Sequence, residues 1–482
     1  MTDHDSLPFA SAAELARLIA DREVSAAELT QLYLERIERY DGDLNAFVHR
    51  MDEQALEVAE LKDRHTIEGS ELPPLHGVPV SIKELAFLEG APATMATKAM
   101  ADNIATFDTN IVGRLKQAGM VPIGKTNAPE LGSVPYTEPD LFGPCRNPWD
   151  LERTPGGSSG GGAAALAAGL CPVSQASDGG GSIRIPASAT GLYGLKPSRF
   201  RVSGAPLVGS FAMDLSTAGM LTRTVSDSAV LLDLISGYVP GDPGAAPPPP
   251  EPFGALVGRD PEQQRIGILT ESPVASYSPP AHVALEAMAN ALEQAGHELV
   301  EVTIEVPGHV INAFELIWAA GVASLPFPAE ALEPLNAWLT ERGTHASAAE
   351  VYAAEFQLSA YVRQLVGRFH TEFDLLAFPV LTQLPPRIGE HDGLGDAKST
   401  WDANVDLVGA TPMVNATGQP AASVPIHWDD ESGLPVGVQL VGRYADEATV
   451  LQVSRQLEEV APWRDRVPPG YSSASASSTP SR

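Results

Sequence analysis

Two Ser/Gly-rich stretches and one lysine are the residues of this sequence whose types and spacing suggest chemistry. Lys83 lies in the apolar segment GVPVSIKE, and lysine is rarely buried without a reason. Burial disfavours the charged ammonium, so a buried lysine can be a neutral general base. TPGGSSGGGAA carries Ser158 and Ser159, and SDGGGSIRIPAS carries Ser177 and Ser182. The pattern suggests a proton relay from lysine through one serine to a nucleophilic serine, with glycine N–H groups available for an oxyanion.

Two further glycine-rich patterns match known motifs, but neither fits its surroundings. GMVPIGKT, residues 119–126, satisfies the P-loop pattern, yet a predicted helix precedes it and apolar residues fill the supposed phosphate loop. GGSSG, residues 156–160, satisfies the nucleophile-elbow pattern, yet the loop LERTP precedes it instead of a buried strand. The later histidines lie in no catalytic motif. The relay therefore competes with a simpler alternative, a solvated Lys83 and two flexible glycine loops.

The elements that must position these residues alternate between helices and strands. Residues 11–45 contain SAAELARLIADR and SAAELTQLYLERIERY, which each open with a capping-box pattern and predict two helices. GVPVSIKE and MVPIG predict strands, with a helix over IVGRLKQAG between them. Further helices are predicted at TVSDSAVLLDLISGYV and residues 281–296. Further strands are predicted at RIGILT, HELVEVTIEVP, DLLAFPVLT and GLPVGVQLVGR. The alternation predicts an α/β fold.

The composition narrows the classes of partner. The 482 residues include 31 Lys and Arg against 61 Asp and Glu, a net charge of −30, which disfavours nucleic acid and anionic membranes as partners. No run approaches the roughly 18 apolar residues of a membrane span, and the N-terminus does not resemble a signal peptide. Cys145 and Cys171 share no metal or redox spacing. We therefore expect a cytoplasmic protein with reduced cysteines, no membrane partner and no metal site.

Longer motifs around the two serine stretches resemble those of the amidase signature family. PGGSSGGGAAALAAG is followed by SDGGGSIRIPASATGLYGLKPS, and GVPVSIKE, AGMVPIGKTNAPELG, RNPWD, NATGQPAASVP and GLPVGVQLVG stand in family order. The resemblance runs from about Leu15 to Gln456. It implies a mixed, twisted β-sheet core covered by helices on both sides. The divisions we expect are an N-terminal helical segment at 1–70 packed on the core, an amidase signature domain at 71–467 with a Pro-rich loop at 241–254, and a disordered tail at 468–482.

The resemblance implies a role for each residue of the relay. Lys83 matches the catalytic lysine, Ser158 the bridging serine after a cis bond from Gly157, and Ser182 the nucleophile. The other implied roles are oxyanion-hole N–H groups from Gly179, Gly180, Gly181 and Ser182, and support of the loop by Ser177, Asp178 and Arg184. Gly179 stands where Thr or an Ile-type residue is more common in the family. Ser159 is left without a role.

The implied function is hydrolysis of carboxamide C–N bonds through an acyl-enzyme on Ser182, with no cofactor. TEPDLFGPCRNPWDLERTPGGSSGG is most similar to a bacterial branch with 6-aminohexanoate cyclic-dimer hydrolases, aryl acylamidases and urethane-cleaving enzymes. Anilides and carbamates are therefore included among the expected substrates. The partners we expect are a small-molecule amide or carbamate and, in a homodimer, a second copy of the chain. The alternatives are an amidotransferase-type subunit of a complex and an amidase-like non-catalytic protein.

A variable region at residues 305–405 is expected to line the acyl or leaving-group pocket. Its large aromatic residues are Phe314, Trp318, Phe327, Trp338 and Trp401. Ligand pockets are lined mainly by apolar and aromatic side chains, but so is a protein core, and both interpretations stay open at this point.

Overall fold

The computed structural model describes residues 7–69, 71–207, 212–391 and 394–472. The strands within these residues are β1 Phe47–Arg50, β2 Pro79–Lys83, β3 Val121–Thr126, β4 Ser174–Asp178, β5 Tyr193–Lys196, β6 Thr217–Thr222, β7 Arg265–Leu269, β8 Glu298–Val302, β9 Leu375–Pro379, β10 Ala421–Trp428 and β11 Pro435–Val441. They form one mixed sheet in the order β1-β3-β2-β4-β6-β5-β10-β11-β9-β7-β8. The predicted α/β class is confirmed.

The helices in the described part of the chain pack against this sheet and against each other. They are α1 Ala12–Ala20, α2 Ala26–Leu44, α3 Asp52–Glu68, α4 Asn110–Gln117, α5 Gly160–Ala167, α6 Arg184–Thr190, α7 Val225–Ile235, α8 Phe253–Leu256, α9 Pro279–Gln294, α10 Gly308–Ala323, α11 Pro334–Thr344, α12 Ala348–Arg368, α13 Ala397–Val408, α14 Met413–Thr417 and α15 Glu447–Val460. Ser25 and Glu28 form the predicted capping box of α2, whereas Ser11 caps α1 without the return bond.

The central strands are covered on both faces. Every residue of β2, β3, β9 and β11 is buried. Successive side chains of a strand point to opposite faces, so complete burial requires packed layers above and below the sheet. The core of α1 and α2 belongs to the same apolar cluster as β2 and β3, which packs this helical segment onto the sheet.

The near-P-loop segment is part of the sheet. β3 continues through Gly124, Lys125 and Thr126, where a phosphate-binding loop would need to turn. Lys125 is buried and its Nζ donates to the carbonyl oxygens of Glu84 at 3.0 Å and Pro92 at 2.9 Å. Its ammonium is therefore committed to the backbone, and the nucleotide-binding alternative is wrong.

Two predicted irregular segments are shorter than expected. The Pro-rich loop ends earlier than residue 254, because α8 begins at Phe253. The expected tail also starts too early: Tyr471 is buried, and its carbonyl accepts from Arg36 Nη2 at 2.9 Å. The rest of that tail, residues 473–482, lies outside the described residues. Both Cys145 and Cys171 are buried and unpaired.

No helix among the described residues is long and apolar enough to cross a membrane.

The topology of the sheet brings the residues of the relay together. β2 and β4 are parallel neighbours, with Ser81 opposite Ser174. The carboxyl ends of parallel strands meet at one edge of the sheet, so Lys83 and Ser177 emerge side by side.

Candidate active site

Lys83, the last residue of β2, is buried and points its ammonium nitrogen at two hydroxyl groups. Nζ lies 2.9 Å from Ser158 Oγ and 3.0 Å from Ser177 Oγ. Burial lowers the pKa of Lys83 from its ordinary value to about 7, although the charges of Asp178 and Glu84 act in the opposite direction. A large share of the molecules therefore carries a neutral amine near pH 7, as a general base requires.

Ser158 lies at the end of the glycine-rich loop, just before α5. The peptide bond from Gly157 to Ser158 is cis, as the family resemblance implies. Gly132 approaches the serine so closely that a Cβ at this glycine would lie 3.1 Å from Ser158 Oγ. The hydroxyl group is thereby confined between Lys83 and a neighbouring backbone segment.

Ser182 lies on the loop between β4 and α6, and Asp178 and Arg184 hold that loop. Both side chains are fully buried, and Arg184 makes a bidentate contact through Nε and Nη2 at 3.0 and 2.9 Å. Burial alone would raise the pKa of Asp178, but the charge and hydrogen bonds of Arg184 hold it well below its usual range. The carboxylate also accepts from the N–H of Ile183 at 3.1 Å. The ionised carboxylate of Asp178 therefore holds the loop through hydrogen bonds to its backbone and to Arg184.

The four expected oxyanion donors do not have equal surroundings. The N–H of Gly181 donates to Asp178 Oδ1 at 2.8 Å, so in this conformation it supports the loop. Among the described residues, no acceptor is in hydrogen-bond contact with the N–H of Gly179, Gly180 or Ser182. Those three N–H groups are the ones available to a developing oxyanion.

Ser182 Oγ is the member of the proposed relay that the structure leaves without a bond. Within the described ranges, no hydrogen bond joins it to Ser158 or to any other group. Ser182 is only 8% exposed, and it lines two cavities. Catalytic hydrogen bonds are often long in unliganded proteins and tighten when substrate enters. The missing hydrogen bond between Ser158 and Ser182 is therefore compatible with a relay.

Sequence reasoning missed three amide side chains and the role of Ser159. Gln175 Oε1 accepts from the Lys83 N–H at 3.2 Å. Asn415 donates to Asp178 Oδ1 at 2.8 Å, and Gln439 accepts from Arg184 Nη1 at 2.8 Å. Asn415 and Gln439 belong to the motifs NATGQP and GVQLVG, whose polar residues among apolar neighbours were the available signal.

Ser159 joins the two serine loops through its side chain. Its Oγ donates to the carbonyl oxygen of Ser177 at 3.3 Å and accepts from the N–H of Ser177 at 3.4 Å. The same Ser177 presents the second hydroxyl group to Lys83. Ser159 therefore holds the end of β4 beside the loop that carries Ser158.

Two cavities meet at Ser182. We call the first the apolar cavity: it measures about 130 Å³, and its walls include Val310, Leu358 and Met413. We call the second the wide cavity: it measures about 360 Å³, and its walls include Lys83 and Ser158. Among the described residues, neither Lys83 nor Ser158 lines the apolar cavity. Of the two cavities, the base and the bridging serine therefore border the wide one.

Three of the five aromatic residues singled out from the sequence line these cavities. Phe314, Trp318 and Trp401 border the apolar cavity, and Trp318 also borders the wide cavity. Trp338 packs behind the wall, with its ring centroid 6.3 Å from that of Trp401, and Phe327 is on neither wall. A Cβ at Gly179 would lie 3.1 Å from the Trp318 ring, so the absence of a side chain there leaves room for the indole.

The geometry can be compared with known proteins. The family model described as amidase matches residues 28–451. A putative amidase of Synechocystis is 40% identical over 93% of this chain and 88% of its own length. The solved structure of 6-aminohexanoate cyclic dimer hydrolase complexed with substrate has a TM-score of 0.89 and 32% identity, covering 96% of this chain and 99% of its own. A bacterial aryl acylamidase structure has a TM-score of 0.87 and 26% identity, covering 98% and 99%.

Proposed function

The chain belongs to the amidase family and is a hydrolase of amide C–N bonds, and from this premise we propose that it works through an acyl-enzyme on Ser182. The observation that carries the proposal is the 2.9 Å contact between the buried amine of Lys83 and Ser158 Oγ. A neutral amine at that distance can accept the hydroxyl proton. The nucleophile Ser182 lies on the adjoining loop.

The proposed chemistry has two halves. Lys83 takes the proton of Ser158 as Ser158 takes the proton of Ser182, and Ser182 Oγ forms a bond to the substrate carbonyl carbon. The resulting oxyanion is stabilised by the available N–H groups of the Gly179–Ser182 loop. The C–N bond then breaks as the proton returns through Ser158 to the leaving nitrogen. Water repeats the sequence on the ester, giving a carboxylate and free Ser182.

The position of Ser158 supports a proposed role for each of the two cavities. In the proposed mechanism the leaving nitrogen receives its proton from Ser158, which of these two cavities borders the wide one. The amine therefore leaves into the wide cavity, and the acyl group occupies the apolar cavity on the other side of Ser182. Burial of apolar surface favours acyl groups with several carbon atoms there.

We propose apolar carboxamides, anilides and carbamates as the substrate class. The similarity to a cyclic-dimer hydrolase of 6-aminohexanoate and to an aryl acylamidase supports linear or cyclic amides with an apolar acyl part. The wide cavity has room for an aromatic amine. Each of these leaving groups needs a proton as it departs, and Ser158 can supply it.

The test is the hydrolysis of acyl 4-nitroanilides by the purified chain alone, followed by release of nitroaniline. We expect turnover, and a higher kcat/KM for hexanoyl than for acetyl anilide. Ser182→Ala should abolish the covalent acyl adduct seen by mass spectrometry in rapidly quenched samples, while Ser432→Ala, a serine on the surface turn after β10, should retain it. Acylation that persists in Ser182→Ala would refute the nucleophile. A chain inactive on all amides, esters and carbamates would favour the subunit or non-catalytic alternatives.

A further inference from the structure

Asn404 and Tyr361 are polar residues that line the apolar cavity but not the wide cavity, and the Tyr361 hydroxyl already donates to Met413 Sδ at 3.5 Å. The wall consists mainly of apolar residues, such as Val306, Val310, Leu358, Trp401, Met413 and Ala416. Ser133 and Trp318 border both cavities, so they lie where the two cavities meet, near Ser182. Asn404 borders only the apolar cavity, on the side assigned above to the acyl group.

Asn404 is held so that only one end of its amide is used. His391 Nδ1 contacts Asn404 Oδ1 at 2.9 Å, and both residues are buried, with Asn404 6% exposed. The His391 ring also packs against Tyr136, with the two ring centroids 5.2 Å apart. The Nδ2 group of Asn404 has no acceptor among the described residues. The amide oxygen is therefore satisfied by histidine, while its two N–H bonds have no acceptor within the part of the chain that the structure describes.

A buried donor without an acceptor is unusual, because more than nine in ten such groups in proteins are paired. A bound water needs two to four polar partners, and the mainly apolar wall around Asn404 offers few. A ligand atom that enters the cavity can supply the missing acceptor. Sites with a buried donor of this kind discriminate strongly against ligands that leave it unpaired.

We propose that Asn404 is a specificity-determining residue that donates a hydrogen bond to an uncharged acceptor oxygen carried by the acyl group. The substrate class is then an apolar acyl chain with a carbonyl or ether oxygen, such as an oxoalkanoyl or alkoxyalkanoyl amide. A carboxylate is disfavoured, because no cationic side chain among the described residues lines this cavity to compensate a desolvated anion. The inference rests on the proposed function, since it requires the acyl group in this cavity.

The experiment compares pairs of 4-nitroanilides with acyl chains of equal length, one plain alkyl and one with a single oxo group, the oxygen position being varied along the series. In the wild type we expect kcat/KM to be about tenfold higher for the best oxo substrate than for its alkyl partner. Asn404→Leu keeps a similar volume without the donor, so this ratio should fall to about one. Val405→Ala alters the same wall without touching a hydrogen bond and should leave the ratio unchanged.

Separate readouts distinguish the failure of each proposal. Wild-type turnover of the alkyl anilides and its loss in Ser182→Ala test the hydrolase alone. An oxo-to-alkyl ratio unchanged in Asn404→Leu would overturn the role of Asn404, as would a preference for a hydroxyl donor that acceptor-only ethers do not share. Thermal unfolding serves as the folding check, and Asn404→Leu should unfold at a somewhat lower temperature than the wild type, because it leaves the buried Nδ1 of His391 without its partner. If the leucine variant fails to fold, Asn404→Ala, which also lacks a side-chain donor, should show the same fall in the ratio.

Discussion

Lys83 can act as a base only while its amine is neutral, and burial sets the pH at which that occurs. Burial lowers the pKa of Lys83 to about 7. Below that pH the ammonium cannot accept the Ser158 proton, so kcat/KM for an uncharged anilide should fall about tenfold for each pH unit. Above it the rate should level off. Initial rates between about pH 5 and pH 9 measure this acid limb.

The same pH profile, measured on a Lys83 variant, tests whether Lys83 is the group whose protonation causes the fall in rate. Lys83→Met has no amine to titrate and should lose activity throughout the range. Residual activity in that variant with the same acid limb would show that another group is the base. A wild-type rate independent of pH between about 5 and 8 would contradict the assignment outright.

Burial alone would not have singled out Lys83. Lys125 and Lys196 are also buried in strands, and burial lowers their pKa values to about 8 and about 7. Among the described residues, however, their ammonium groups donate only to backbone carbonyl oxygens. The argument that a lysine is rarely buried without a reason therefore applies equally to three residues. Only the resemblance at VSIKE, and then the contact with Ser158, distinguished Lys83 from the other two.

At the scale of elements, the glycines of SSGGGAA serve close packing. α5 passes so near the backbone of neighbouring segments that a Cβ at Gly161 would lie 2.3 Å from Asn127 N and 2.6 Å from Ala46 O. Gly113 in α4 is a matched helical glycine with nothing within 4 Å of such a Cβ. Both glycines lie in helices, but a Cβ at Gly161 would meet backbone atoms, whereas a Cβ at Gly113 would meet open space.

We expect Gly→Ala to have opposite signs at these two positions. Gly161→Ala should lower the free energy of unfolding by about 1–3 kcal/mol or more, because the backbone atoms it meets cannot move aside easily. Gly113→Ala should raise it by about 0.5–1 kcal/mol, because alanine loses less entropy in a helix. Urea unfolding of both variants measures the difference. Equal effects at the two positions would show that packing around α5 is looser than described.

The sequence predicted the individual strands and helices better than it predicted which of them lie side by side. Hydrophobic patterns correctly indicated strands such as β2, β7 and β11, since their residues are buried on one or both faces. They carried no information on pairing, which places β10 and β11 between β5 and β9. Asn415 and Gln439 reach the Asp178–Arg184 pair only because of that order. The cavities likewise depend on how α10, α12 and α13 pack, which local patterns do not specify.

At the scale of the whole molecule, the composition alone gives the net charge of −30. Acidic residues exceed basic ones by thirty, and the resulting self-repulsion opposes the compact state. Salt also weakens favourable surface ion pairs, such as Arg259–Glu251 with both side chains about half exposed. Exposed pairs of this kind contribute only about 0–1 kcal/mol each, and many contribute nothing measurable. Relief of repulsion should therefore outweigh the loss of surface pairs.

We accordingly expect sodium chloride to stabilise the protein, with Tm rising by a few degrees between about 0.01 M and 0.5 M at pH 7.5. The Debye length falls from roughly 30 Å at 0.01 M to about 10 Å at 0.1 M, so most of the increase should come at low concentration and then saturate. Thermal unfolding monitored by circular dichroism measures it, with an equal series in sucrose as the uncharged control. A steady rise through high salt would indicate preferential exclusion from the surface instead, because screening between exposed charges is nearly complete once the Debye length is shorter than their spacing. A fall in Tm would mean that the surface ion pairs act as networks whose stabilisation exceeds the repulsion of the excess carboxylates.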